Sequence, residues 1–281
     1  MKFETIIEPT DAFDHRESPD WVFVDCRFTI REPDRGEREY GESHVAGAVY
    51  AHLDRDLSGP VITGATGRHP LPHPGALVGA LGRLGIDGRT QVVAYDESTG
   101  ALAAARLWWL LKWAGHDAVA VLNGGLARWR SLGFPCASGV EHRPAAVFEA
   151  RFRPAMACDA MQVLAAIADP AYLVLDSRSA ERYRGLNETI DPVAGHIQGA
   201  FSAPYEENLG GDGLFRSQAE LGSRFDSLAG GRDASHTIFY CGSGVTAAHN
   251  VLSFAHAGRG IPLLYPGSWS EWITDPRRPI G

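Results

Sequence analysis

The sequence predicts an α/β protein in which one fold is used twice, each copy a mainly parallel sheet flanked by helices. Three observations predict it. Short β-branched runs alternate with helical patterns along the chain, as parallel strands joined through crossover helices require. The alternation occurs twice, with matching motifs in the same order about 150 residues apart, a period far longer than a solenoid repeat. The chain has 281 residues, 44% hydrophobic and 21% charged, a composition that suits packed domains and a length that suits two of them.

The elements follow in order. Trp21-Val-Phe-Val-Asp25-Cys-Arg27 matches Tyr172-Leu-Val-Leu-Asp176-Ser-Arg178. Their cores, Val22–Asp25 and Leu173–Asp176, read as strands buried on both faces. Loops rich in Arg, Glu and Gly follow, leading to the second match, His44-Val-Ala-Gly47-Ala48 with His196-Ile-Gln-Gly199-Ala200. The next strands, Gln91–Tyr95 and Thr237–Tyr240, run into helical patterns at Ala101–Ala114 and Val245–Ala257. Third strands at Ala118–Leu122 and Pro262–Tyr265 lead into Gly-started helices, where Leu122-Asn-Gly124 matches Tyr265-Pro-Gly267. Trp108, Trp109 and Trp113 fall at helical spacing and read as core, as do Trp269 and Trp272 beside the last turn. Phe134–Pro154 carries Pro135, Pro144 and Pro154 with little periodicity, which reads as a connection. Ala157–Ala168 reads as the first helix of the second copy. The expected organisation is a first domain over 1–135, a linker over 136–154 and a second domain over 155–281.

Charge and cysteine usage narrow the function. Lys plus Arg number 26 and Asp plus Glu 34, a net charge of −8. Such a chain has no electrostatic footprint for a phosphate backbone, so nucleic acid is not an expected partner. The start, MKFETIIEPTDAF, has no apolar core behind a basic end. The longest apolar run, Ala101–Ala114, is interrupted by Arg106 and Lys112 and is too short for a bilayer. No membrane association is expected, and the expected location is cytoplasmic, with the four cysteines reduced.

Chemistry in an open α/β sheet gathers beyond the carboxyl ends of the strands. Matching strands end at Asp96 in the first half and at Cys241 in the second. The second site reads Tyr240-Cys241-Gly242-Ser243-Gly244-Val245-Thr246. Two glycines let the backbone curl so that several N–H groups face one concavity. The helix beginning near Val245 adds partial positive charge there. The combination favours a thiolate and an anion beside it, the setting of a reactive cysteine. Cys26, Cys136 and Cys158 read as packing residues. A phosphatase-type C-x5-R loop would clamp a tetrahedral oxyanion with an arginine, but Ala247 holds that position and Thr246 and Ala248 flank it. A metal site would need several closely spaced ligands, and only His249 lies near Cys241. No metal or organic cofactor is implied.

At this point the chain resembles the tandem-rhodanese sulfurtransferases, and the repeat carries the resemblance over nearly the whole length. The loop Cys241-Gly-Ser-Gly-Val-Thr246 is similar to that of the 3-mercaptopyruvate sulfurtransferases. Thiosulfate sulfurtransferases of the same fold more often follow the cysteine with Arg and Lys. The resemblance implies a catalytically silent first domain, with Asp96 at the cysteine position. It implies a persulfide on Cys241, formed from a small sulfur donor, 3-mercaptopyruvate or alternatively thiosulfate. A thiol such as thioredoxin, or cyanide, would then remove the outer sulfur. A non-enzymatic persulfide carrier is a further alternative.

The resemblance also implies a proton-handling set of Ser243, His69 and Asp54. His69 lies in Arg68-His-Pro-Leu-Pro72, and His73 is the alternative if the loop is shifted. Gly242, Gly244, Val245 and Thr246 would form the substrate cradle, with Arg182 binding the substrate carboxylate. Arg178 repeats Arg27 of the silent half and reads as structural. The family often has a second substrate arginine shortly before the His-x-x-Gly-Ala motif, whereas Leu186–Gly195 holds none. Arg184 and Asn187 are the residues left to compensate.

Overall fold

The computed structural model describes residues 2–100 and 103–281. The residues that open the expected helix, Ala101 and Leu102, lie outside the described residues. The chain divides into two compact units: Met1–Gly59, Pro72–Arg153 and Gly211–Phe215 form the first, and Pro60–Leu71, Pro154–Gly210 and Arg216–Gly281 the second.

In chain order the first unit contains β1 (Ile6–Ile7), α1 (Pro9–Asp14), β2 (Trp21–Asp25), α2 (Arg35–Glu42), β3 (His44–Val45), β4 (Val49–Tyr50), α3 (Pro74–Arg83), β5 (Gln91–Tyr95), α4 (Ala103–Trp113), β6 (Val119–Leu122), α5 (Gly125–Ser131) and β7 (Cys136–Ala137). Its main sheet has the order β1-β6-β5-β2-β4, parallel throughout. All residues of β2, β5 and β6 are buried, which is why they read as continuous apolar runs without alternation. The described residues of α4 are buried on every side, including Arg106 and Lys112. The Lys112 ammonium reaches the Asp117 carbonyl at 2.9 Å, so the charge is satisfied at the end of a buried aliphatic stem.

The second unit contains α6 (Ala160–Ala166), β8 (Leu173–Asp176), α7 (Ala180–Tyr183), β9 (Phe201–Ser202), α8 (Gln218–Ala229), β10 (Thr237–Tyr240), α9 (Thr246–His256), β11 (Leu263–Leu264) and α10 (Ser268–Trp272). The sheet order is β11-β10-β8-β9, again parallel. Capping boxes start two helices, Asp159 with Gln162 at α6 and Ser217 with Glu220 at α8; each satisfies two otherwise orphaned N–H groups. Trp269 and Trp272 are fully buried in the core of this unit with Tyr240 and Tyr265.

The repeat extends to single hydrogen bonds. In the first unit Arg27 grips Asp25 through Nε and Nη2 and the Ser43 carbonyl through Nη2. In the second, Arg178 grips Asp176 and the Gly195 carbonyl in the same way. The buried guanidinium thus ties the loop after the first strand back to the strand end in both units, and its charge is balanced by a bidentate carboxylate.

Two segments differ from expectation. Of residues 136–154, expected as a linker, all but Pro154 belong to the first unit. β7 pairs antiparallel with β3. Farther on, the Ala146, Arg151 and Arg153 N–H groups donate to the Gly82, Ala114 and Trp113 carbonyls. Arg153 also forks onto Asp117 at 2.8 and 2.7 Å, and this ion pair holds the Asp117 carboxyl at about 2. A segment without periodicity can still be fixed wherever its backbone finds partners at a neighbour's edge. The second difference is Cys136, which was expected to pack and is exposed, because β7 belongs to a two-stranded ribbon rather than the main sheet.

Candidate active site

β10 delivers Cys241 to the mouth of α9. Gly244 adopts a left-handed φ of 75°, which turns its N–H back to donate to Cys241 Sγ at 3.1 Å. α9 begins two residues later, at Thr246, and a helix N-terminus carries partial positive charge. Cys241 and Val245 are buried, and Thr246, the first helical residue, is partly so.

The start of α10 pins the cysteine backbone. Cys241 N–H donates to Ser268 Oγ at 3.1 Å, and the Cys241 and Gly242 carbonyls accept from Trp269 and Ser270 N–H. Ser268 does this with a φ of 55°, a conformation that costs a serine about 1–2 kcal/mol. Its hydroxyl also donates to the Tyr265 carbonyl at 2.9 Å.

Against this loop lies Pro60–Leu71, which the second unit takes from the first half of the sequence. Gly67 makes the approach possible: a Cβ there would come within 2.5 Å of the Gly267 carbonyl oxygen. Arg68 N–H donates to Ser270 Oγ at 3.1 Å, and the next residue, His69, is buried with Nδ1 2.8 Å from Ser243 Oγ. His73, the alternative, is exposed and caps α3 in the first unit, where it accepts from Gly75 N–H.

Two guanidinium groups face Gly242. Arg182, on α7, forks onto Glu188 at 3.0 and 3.1 Å and reaches Asp191 at 2.9 Å. Arg68 pairs with the other oxygen of Asp191 through Nη1. An ideal Cβ on Gly242 would lie 2.8 Å from Arg68 Nη2 and 3.6 Å from both terminal nitrogens of Arg182. Burial alone would raise the Glu188 carboxyl, but Arg182 and the Asp191 and Ile190 N–H groups hold it below the usual carboxylate range. At Asp191 burial outweighs both arginines and pushes the carboxyl up.

Asp54 belongs to the first unit, is exposed, and has its N–H on His52 Nδ1. Arg184 is exposed, and Asn187, also exposed, donates to Glu181. Asp96 occupies the matching strand end of the first unit, its carboxylate accepting from Gly100 and Ser98 N–H at 2.8 and 3.3 Å. Cys26 and Cys158 are held as thiols. Burial, then Asp25, Asp96 and Asp56, push Cys26 far up, and burial lifts Cys158 to about 12. Among the described residues no three His, Cys, Asp or Glu side chains gather as a metal ion would need, and no helix is long and apolar enough to cross a membrane.

Sequence reasoning missed Arg68, Glu188, Asp191 and Ser268. For Arg68 the signal was its place beside His69; for Ser268, a serine where the first half has Gly125.

Comparison with known proteins identifies the family. The family model described as the rhodanese-like domain matches the chain twice, over residues 8–132 and 159–275. A probable 3-mercaptopyruvate sulfurtransferase of Pseudomonas aeruginosa is 47% identical over 263 residues, 93% of this chain and 92% of that protein. A putative thiosulfate sulfurtransferase, SseB, of Mycobacterium tuberculosis is 38% identical over 92% of this chain and 89% of its own. The solved structure of 3-mercaptopyruvate sulfurtransferase from Leishmania major superposes with a TM-score of 0.86 at 33% identity, covering 99% of this chain and 76% of that one. With the domain matched in both halves and the likeness carried over nearly its full length, this chain belongs to the rhodanese family.

Proposed function

We propose that the protein is a sulfurtransferase that takes sulfur from 3-mercaptopyruvate onto Cys241 and passes it to a thiol or cyanide. The observation that carries the reading is Cys241 Sγ, held by the Gly244 N–H at the start of α9 in the unit where His69 meets Ser243. The thiolate attacks the donor sulfur. The S–S bond forms as the C–S bond breaks, and the electron pair leaves with the pyruvate enolate. A proton relayed from His69 through Ser243 to the enolate carbon completes pyruvate. An acceptor thiolate then attacks the outer sulfur, which leaves as the acceptor persulfide, and Cys241 returns as thiolate. This is covalent catalysis in two half-reactions. Arg182 binds the donor carboxylate, and the N–H groups of Gly242, Gly244, Val245 and Thr246 line the anion's path. The resemblance adds Asp54 to the proton-handling set.

Thiosulfate is the second reading, favoured by the two guanidinium groups facing Gly242. We rank it lower because Glu188 and Asp191 already balance those two charges, leaving little excess for a dianion. The ratio of kcat/KM for the two donors decides between them.

Exposure to 3-mercaptopyruvate is expected to add about 32 Da, one sulfur, to Cys241. Cys241→Ser is expected to lose that mass gain and to lower pyruvate release at least about 10³-fold. Full turnover in the variant would overturn the reading.

A further inference from the structure

We infer that Arg68 is the second donor-binding arginine of this site, standing in space where a side chain at position 242 would otherwise stand. The inference rests on the sulfurtransferase reading and deepens it by naming the group that, with Arg182, selects a carboxylate-bearing donor.

Arg68 enters from Pro60–Leu71 and is fixed at both ends. Its N–H is held by Ser270 Oγ, and its Nη1 is held by the buried Asp191 carboxylate. Asp191 bridges Arg68 and Arg182, so the two guanidinium groups are tied to one anchor. With Nη1 anchored, Nη2 projects toward the cysteine loop, 2.8 Å from the position of a Gly242 Cβ. Any residue larger than glycine at 242 would displace it. The Arg68 side chain is 26% exposed, so solvent and a ligand can reach its head.

Hydrogen-bond inventory separates Arg68 from the other arginines beside it. Arg178 and Arg182 each spend Nε and Nη2 on a carboxylate within the protein. Arg68 Nε is buried with no partner. A guanidinium whose head is partly exposed beside the cysteine loop, with a donor still unmet, has capacity left for an anion. A donor carboxylate seated over Gly242 would find Arg68 on one side and Arg182 on the other. Leu186–Gly195, which holds no arginine, thus contributes the carboxylates that orient the clamp, and the cation comes from the His69 segment.

The test uses the full-length protein with Arg68→Met and Arg68→Lys. Steady-state pyruvate release from 3-mercaptopyruvate is measured beside alkylation of Cys241 by anionic iodoacetate and by neutral iodoacetamide, followed on the Cys241 peptide by mass. Arg68→Met is expected to raise KM about 10- to 100-fold, the range for losing one charge-assisted hydrogen bond, with a much smaller change in kcat. It is also expected to lower the iodoacetate-to-iodoacetamide rate ratio about tenfold, and Arg68→Lys should restore part of both. Unchanged KM and an unchanged ratio in Arg68→Met would overturn the inference. So would an equal loss with both reagents that Lys fails to rescue, since that marks a purely structural residue. If wild-type protein releases no pyruvate, the sulfurtransferase reading falls, and the alkylation ratio still decides whether Arg68 recruits anions to Cys241.

Discussion

The loops after β5 and β10 are the same structure holding different atoms. Each curls beyond a central parallel strand, and each is pinned from behind by a helix start, α5 in the first unit and α10 in the second. Leu126 N–H meets the Asp96 carbonyl at 3.0 Å, and Trp269 N–H meets the Cys241 carbonyl at 2.9 Å. In the first loop the cradle is filled from within, since the Asp96 carboxylate accepts from Gly100 and Ser98. In the second it holds a sulfur that accepts from Gly244. A backbone cradle at a strand end therefore presents N–H donors, and the fold fills it with a carboxylate in one unit and a cysteine sulfur in the other. What separates the two is the surroundings. Glu97 follows Asp96 and pairs with Arg27 and Arg130, whereas Gly242 follows Cys241 and leaves room for Arg68 and Arg182.

The largest expected effect follows from that difference. Asp96→Cys places a thiol in the first cradle but leaves Glu97 beside it, already paired with Arg27 and Arg130, so those guanidinium groups are not left to take an anionic donor. After 3-mercaptopyruvate treatment, the folded variant is expected to gain the mass of a single sulfur, on Cys241. A second sulfur on residue 96 would break the comparison by showing that the cradle alone suffices.

Much of this contrast was legible in the residues. Leu173–Asp176, Gln91–Tyr95 and Thr237–Tyr240 coincide with β8, β5 and β10, because a strand buried on both faces leaves an unbroken apolar run. Cys241 stood out because glycines and a helix start followed it. The two-residue strands β1, β4 and β9 were not legible, since a pair of residues carries no period. Arg68 was missed for a topological reason: it lies in the first half of the sequence but within the second unit, and a local pattern carries no information about such a long-range placement. Glu188 and Asp191 were missed because acidic residues in a polar loop read as solvated until burial beside two arginines is seen.

A smaller effect concerns Ser243 and its counterpart Ser98. Ser243 faces His69 at 2.8 Å, whereas the Ser98 N–H is turned to the Asp96 carboxylate. His69→Asn keeps a polar group against Ser243 and removes the imidazole that could give and take a proton. It is expected to lower kcat about 10²-fold with KM nearly unchanged. Ser243→Ala should lower kcat by a similar factor, because residues acting as a unit do not add. A rise in KM with kcat intact would reassign the pair to binding.

The smallest expected effect tests the turn behind the cysteine. Gly125 and Ser268 hold matching positions with φ of 56° and 55°. Glycine is required in the first unit, where a Cβ would lie 2.5 Å from the Asp96 carbonyl oxygen. In the second unit serine accepts the strain, and its Oγ takes the buried Cys241 N–H. Ser268→Ala keeps the strained φ and orphans that N–H, for a loss of about 1–3 kcal/mol. Ser268→Gly loses the same hydrogen bond but recovers about 1 kcal/mol of backbone strain. The expected order of thermal stability is therefore wild type, then Ser268→Gly, then Ser268→Ala, with Tm steps of a few degrees. Both variants should turn over 3-mercaptopyruvate more slowly than wild type, because the Cys241 backbone loses one of its two anchors. If Ser268→Gly matched wild-type turnover, the serine would be a stability feature only, and the two turns would be equivalent in all but packing.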